Sequence, residues 1–138
     1  MTTPPHYNQF PPEFEPYKIC NNANFNGNLQ QIFQYVARRK HKGNEIADLE
    51  KALDFVRFEK EREKDAYFTK GVKVSTEEGF HIHAPKLHTD FIQYTLKEDP
   101  FLGLIYNALT CSSELVLKTD IITALLTLEI TRLKKTNK

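Results

Sequence analysis

Between residues 29 and 56 the apolar side chains recur with the period of an α-helix, stop at a run of basic residues, and then resume. Leu29, Ile32, Phe33, Val36 and Ala37 stand at the i, i+3, i+4, i+7, i+8 spacing of one buried helical face. Ile46, Leu49, Leu53 and Val56 repeat the pattern. Arg38, Arg39, Lys40, His41 and Lys42 lie between the two stripes, followed by Gly43 and Asn44, a helix stop and a fresh N-cap. A connection this short joins antiparallel neighbours, so residues 28–65 are predicted to form a helical hairpin. Asn26 or Asn28, in the turn-forming stretch NNANFNGN, caps its first helix. Glu45, Asp48 and Glu50 load the first turns of its second, as the helix dipole favours.

The rest of the chain reads as mainly α. Residues 1–16 hold five of the seven prolines, interleaved with Tyr7, Phe10 and Phe14 and followed by Tyr17, which predicts an extended arm over 1–20 packed on the core or on a neighbouring subunit. The charged run RFEKEREKD is predicted to be a solvated face, with Glu59 and Glu63 repelling and Glu59 and Arg62 attracting. At 71–84 the period changes to two around a Glu-Glu-Gly turn, the pattern of one small β-hairpin. Helices return over 87–135. Phe91 and Ile92 lead to a break at Asp99-Pro100, Leu102, Ile105, Ala108 and Leu109 follow, and the last helix carries the stripe Leu117, Ile121, Leu125, Leu128, flanked by Ile122 and Leu126. That face is wide enough for a core or an oligomer seam. At 138 residues, with 40% apolar and 27% charged side chains, the expectation is a single domain.

Charge and cysteine content narrow the function. Nineteen basic against eighteen acidic residues leave a net charge of +1, so no global field draws the chain to nucleic acid or membrane, and any basic function is local. Cys20 and Cys111 form no framework, and the first sixteen residues lack the pattern of a signal peptide, so a cytosolic protein is expected. Arg38 and Lys42 share a helical face, equipment for holding a phosphate, although cations also suit a helix C-terminus. His81, His83 and His88 offer the ligand count of an open zinc site or are simply exposed imidazoles. The five glycines are isolated, so there is no phosphate loop of the GxxxxGK[ST] kind, nor a GxSxG or HExxH signature.

The segments PPHYNQ (4–9), FEPYKIC (14–20), NFNGN (24–28) and FQYVARRKHKGNEIADLEKALDFV (33–56), in this order, resemble the small phage-encoded domain family of the T7-type phage nucleotide kinase and the SaV-like proteins. The match covers roughly residues 4–58, with Gln34 standing where a lysine is usual. The resemblance implies a protein of the infected bacterial cytoplasm that handles nucleotides, transferring phosphoryl groups from ATP with Mg2+ to deoxynucleoside monophosphates. The alternative is a non-enzymatic protein that sequesters a nucleotide or inhibits a host protein. Under the nucleotide reading, residue chemistry assigns Arg38, Arg39 and Lys42 to the phosphates, Tyr35 or Tyr7 to the base, His6 and Asn28 to hydrogen bonds with the nucleotide, and Asp48 to magnesium or the acceptor. Neither a membrane nor nucleic acid is an expected partner; a homo-oligomer is.

Overall fold

The computed structural model describes residues 10–41, 43–70, 82–110 and 118–136, with 65–70 as backbone. Among them are a 3-10 turn, Pro12–Phe14, and six helices: α1 (Pro16–Asn22), α2 (Gly27–Arg38), α3 (Glu45–Lys70), α4 (Pro85–Glu98), α5 (Pro100–Thr110) and α6 (Lys118–Thr136). The architecture is mainly α, as the periodicity predicts. His6, Tyr7, Lys42, His81 and most of the expected β-hairpin lie outside the described residues. Residues 82–84 at its end are not a strand. They are held by Asn22, whose backbone oxygen accepts from the His83 N–H at 2.9 Å and whose side chain exchanges hydrogen bonds with Ala84 at 2.7 and 3.1 Å.

The α2–α3 hairpin forms as the sequence requires. Asn26 caps α2 by accepting from the Leu29 N–H at 3.0 Å, and Leu29, Ile32, Phe33, Val36 and Ala37 are all buried. The chain reverses at Gly43, whose φ of +76° favours a residue without a side chain. In α3, Leu49, Ala52 and Val56 occupy the core, with Ile46 and Leu53 on its margin. The same spacing then carries two acids inward: Glu59 and Glu63 are 2% and 5% exposed. The charged run is therefore not wholly a wet face. Burial follows the helix period even where the side chain is ionisable.

Helix α6 runs antiparallel to α3, with Lys60 paired to Asp120 at 2.9 Å at one end; at the other, Arg132, held more basic chiefly by its hydrogen bond to Glu129, also feels the charge of Glu45. Its core face is Ile122, Leu126, Ile130 and Leu133, whereas Ile121 and Leu125 are half-buried and Leu128 is 68% exposed. The expected stripe is thus rotated by one residue, about 100° around the axis. Both stripes have helical spacing, and packing against α3 selects the flank.

The N-terminal arm also differs from expectation. Pro16 opens α1, because a proline at the first helical position gives up an amide that has no intrahelical partner anyway. Of the arm's aromatic side chains Phe10 and Phe14 pack inward as expected, whereas Tyr17 is 54% exposed. Phe14 meets Phe91 and Tyr94 at ring separations of 5.6 and 4.9 Å, and Phe33, Phe91, Tyr106 and Phe25 continue this cluster through the core. Helices α4 and α5 meet at Asp99-Pro100 and close against each other at Gly103, where an added Cβ would lie 2.6 Å from the Thr95 hydroxyl.

Candidate functional site at the joint between α2 and α3

The two arginines of the joint are neighbours in sequence and opposites in use. Arg39, just past the end of α2, turns inward and is 1% exposed. Its guanidinium forks onto Asp99, Nη1 to Oδ2 and Nη2 to Oδ1, both at 2.8 Å, while Nη1 also donates to the Val36 carbonyl at 2.9 Å. The Phe101 ring covers it at 5.0 Å, and Glu45 Oε1 lies 3.9 Å from Nε. Asp99 meanwhile accepts from the Leu102 N–H at 3.3 Å, which caps α5. Burial would raise the Asp99 carboxyl, but the Arg39 hydrogen bonds and charge outweigh it and hold the group below the usual carboxylate range. The phosphate role expected of Arg39 is corrected: it is buried, and its Nη donors are committed to tying α2 to the α4–α5 corner.

Arg38 lies across the surface of the hairpin. Its guanidinium carbon stands 4.1 Å from the centroid of Tyr35, and Phe55 also neighbours that ring, nearly parallel to it at 5.9 Å and 23°. Phe58, 56% exposed, meets Phe55 edge-on at 5.6 Å and extends the aromatic ledge. Arg38 Nε is 3.8 Å from Asp48 Oδ1, an ion pair too long for a hydrogen bond. Arg38 Nε and Asp48 Oδ2 are both buried with no hydrogen-bond partner among the described residues. Three of the sequence-assigned residues, Tyr35, Arg38 and Asp48, are therefore gathered in one place. Lys40 is exposed on the turn beside them.

Asn28 is not with them. It sits at the other end of α2, about 15 Å away along the axis at the α-helical rise. Its Nδ2 donates to Glu59 Oε1 at 3.2 Å, beside Asn26, which donates to Oε2 at 3.1 Å, and Arg62, which forks onto both oxygens at 2.8 Å. Burial raises Glu59, yet these partners together bring it below its ordinary value. Glu63, one turn on, is pushed up by burial and by the Glu59 charge, which outweigh Lys118 and Arg62, and its Oε2 has no partner among the described residues. A group whose folded pKa is raised binds more protons folded than unfolded, so its effect on stability worsens as pH rises from the ordinary glutamate range through the folded pKa. Glu63→Gln is therefore expected to be more stable than the native chain at pH 7 by on the order of 1 kcal/mol, with the gap closing toward pH 4. Thermal melts across that range check it.

His88 Nδ1 lies 2.6 Å from the buried Tyr106 hydroxyl, while His83 is exposed. No group of three His, Cys, Asp or Glu side chains among the described residues is placed to hold a metal ion. Cys20 is buried and its thiol is pushed up to about 12 by that burial. Phe55, Phe58 and Asp99 are absent from the sequence-derived site. Asp99 carried a signal as an Asp-Pro helix start, whereas nothing local marks Phe55 as the partner of Tyr35. No helix among the described residues is long and apolar enough to cross a membrane. Compared with family models, curated proteins and solved structures, the chain matches none.

Proposed function

We propose that this chain is a nucleotide-handling protein of phage origin that holds a nucleotide at the α2–α3 joint, in the cytoplasm of the infected bacterium. The supporting observation is the Arg38–Asp48 pair: opposite charges 3.8 Å apart, not hydrogen-bonded to each other, each with a buried atom lacking a partner, beside the Tyr35–Phe55–Phe58 ledge. Guanidinium donors suit phosphate oxygens, a carboxylate suits a ligand hydroxyl, and aromatic rings suit a planar base. Asp48 is the residue beside Arg38 whose carboxylate would hold a magnesium ion brought by ATP, whose role when bound is to neutralise phosphate charge. In phosphoryl transfer Asp48 would orient the acceptor hydroxyl or monophosphate.

The test incubates the purified protein with each deoxynucleoside monophosphate, ATP and magnesium, and resolves the products by ion exchange while calorimetry follows binding. A diphosphate from one or two bases establishes a kinase. In that case Asp48→Asn abolishes transfer and leaves nucleotide affinity within about threefold, since its loss removes a contact to the reacting group rather than to the base; full turnover in the variant overturns the assignment. Binding without product makes the protein a nucleotide sponge. A second reading, a module that grips a host protein or another copy of itself, is favoured by the apolar side chains left on the surface, among them Leu128 at 68%, Phe58 at 56% and Leu104 at 53% exposed. It becomes the conclusion when no nucleotide binds.

A further inference from the structure

Tyr35 does not offer a wholly bare ring for stacking, because the Arg38 guanidinium lies over it. Phe55 stacks on one neighbour position at 23°, and the Arg38 guanidinium covers the ring at 4.1 Å. The two covers differ in how firmly they are held. Phe55 is packed against the core and buttressed by Phe58. Both arginines leave Nε without a hydrogen-bond partner among the described residues, but Arg38 is otherwise held by the ring and a 3.8 Å ion pair, whereas the adjacent, fully enclosed Arg39 makes three hydrogen bonds through its Nη atoms. A planar cation over an aromatic ring occupies the position that a nucleobase would take, and the attraction holding it is modest at a partly exposed site.

We infer that Arg38 is a resident placeholder on Tyr35, displaced by the base of an incoming nucleotide and thereby released to meet the phosphate. The inference rests on the nucleotide reading above and adds how that site selects its ligand. A base without phosphate must evict Arg38 and gives it nothing in return; a base with phosphate evicts it and offers it a charge-assisted partner. The exchange is cheap for the protein, because the Nε that lacks a partner in the resting arrangement gains one, and because the Phe55 stack keeps Tyr35 in place when its cover leaves. Selectivity for phosphorylated over free nucleosides then comes from the displacement itself. Asp48, buried beneath, stays within reach of the released guanidinium and limits how far it can swing.

Calorimetric titration of the full chain with each of the four deoxynucleosides and its 5′-monophosphate tests this, in the native protein, Arg38→Ala and Tyr35→Leu, with circular dichroism confirming that each is folded. The native protein prefers monophosphate to nucleoside. In Arg38→Ala, free nucleosides bind roughly fivefold tighter than in the native protein, the factor that corresponds to losing a contact of about 1 kcal/mol. The monophosphate-to-nucleoside preference falls by about tenfold or more, since its charge-assisted contact is gone. Tyr35→Leu weakens both ligands alike. Nucleoside affinity that is unchanged or weaker in Arg38→Ala overturns the placeholder, while monophosphate binding by the native protein still leaves the nucleotide reading standing. Native protein that binds neither ligand overturns both. Where Arg38→Ala does not fold, Arg38→Gln, which keeps the stem as far as Cδ but is shorter and uncharged, is read by the same outcomes.

Discussion

Arg39→Met, with Asp99 left in place, lowers the stability of the fold by about 3–5 kcal/mol, the usual consequence of leaving one member of a buried ion pair without its partner. The lost terms are specific. Asp99 keeps only 15% of its side chain exposed and loses both 2.8 Å hydrogen bonds, and the Val36 carbonyl loses its side-chain donor, keeping the Arg39 backbone N–H at 3.4 Å. Against a typical domain stability of about 5–15 kcal/mol this is a large fraction of the total. Urea denaturation of the variant measures it, and a loss under about 1 kcal/mol would show that the pair does not staple α2 to the α4–α5 corner. Replacing both residues, Arg39→Met with Asp99→Leu, recovers most of the loss, because an apolar pair leaves no charge stranded. A deficit of about 1 kcal/mol remains from the missing cap on Leu102.

The same pair sets an acid limit. Asp99 is held below its ordinary value, so the native state binds fewer protons than the unfolded chain in the window between the folded pKa and the usual carboxylate range. Its contribution is fully present above that range and is lost as pH falls through the folded pKa. Acid titration of the melting temperature in Asp99→Asn lacks this component.

Gly103→Ala is the second large effect, and its sign is decided by a competition. In an exposed helix interior alanine is preferred over glycine by about 1 kcal/mol. Here the new methyl meets Thr95 Oγ1 at 2.6 Å and Thr95 Cβ at 3.1 Å. Thr95 is fully buried and its hydroxyl donates to the Ile92 carbonyl at 2.9 Å, so it has no free direction in which to retreat. Overpacking of this kind costs about 1–3 kcal/mol, enough to cancel the helix gain and leave a net loss of up to about 2 kcal/mol. The combination Gly103→Ala with Thr95→Ala restores much of the stability by removing the nearer atom. A Gly103→Ala protein more stable than the native chain would show that α4 and α5 are not in contact there.

The parts of this protein that could be read from its residues are those in which the signal is local. The α2 face is the clearest case: five apolar residues at helical spacing, a capping asparagine before them and a glycine turn after them all act within one or two turns of helix. The break at Asp99-Pro100 is of the same kind. Within the site, Tyr35, Arg38 and Asp48 were legible together, because an antiparallel hairpin with a short joint sets the end of α2 beside the start of α3. Glu59 with Arg62 was legible as well, as a pair three residues apart on one helix.

What the sequence by itself determined, then, is a helical protein built on an α2–α3 hairpin with an arginine and a carboxylate facing each other at its joint. Only the tertiary structure decided that Arg39 is consumed by Asp99 sixty residues away, that Asn28 serves Glu59 rather than the joint, that α6 turns its Ile122–Leu126 side inward, and that Glu59 and Glu63 follow the apolar line into the core. The physical reason is common to all four. A charge or an apolar stripe carries no local label for its partner, and helical periodicity allows more than one rotation about the axis. The choice falls to whichever arrangement lets distant elements bury area and pair charge at the same time.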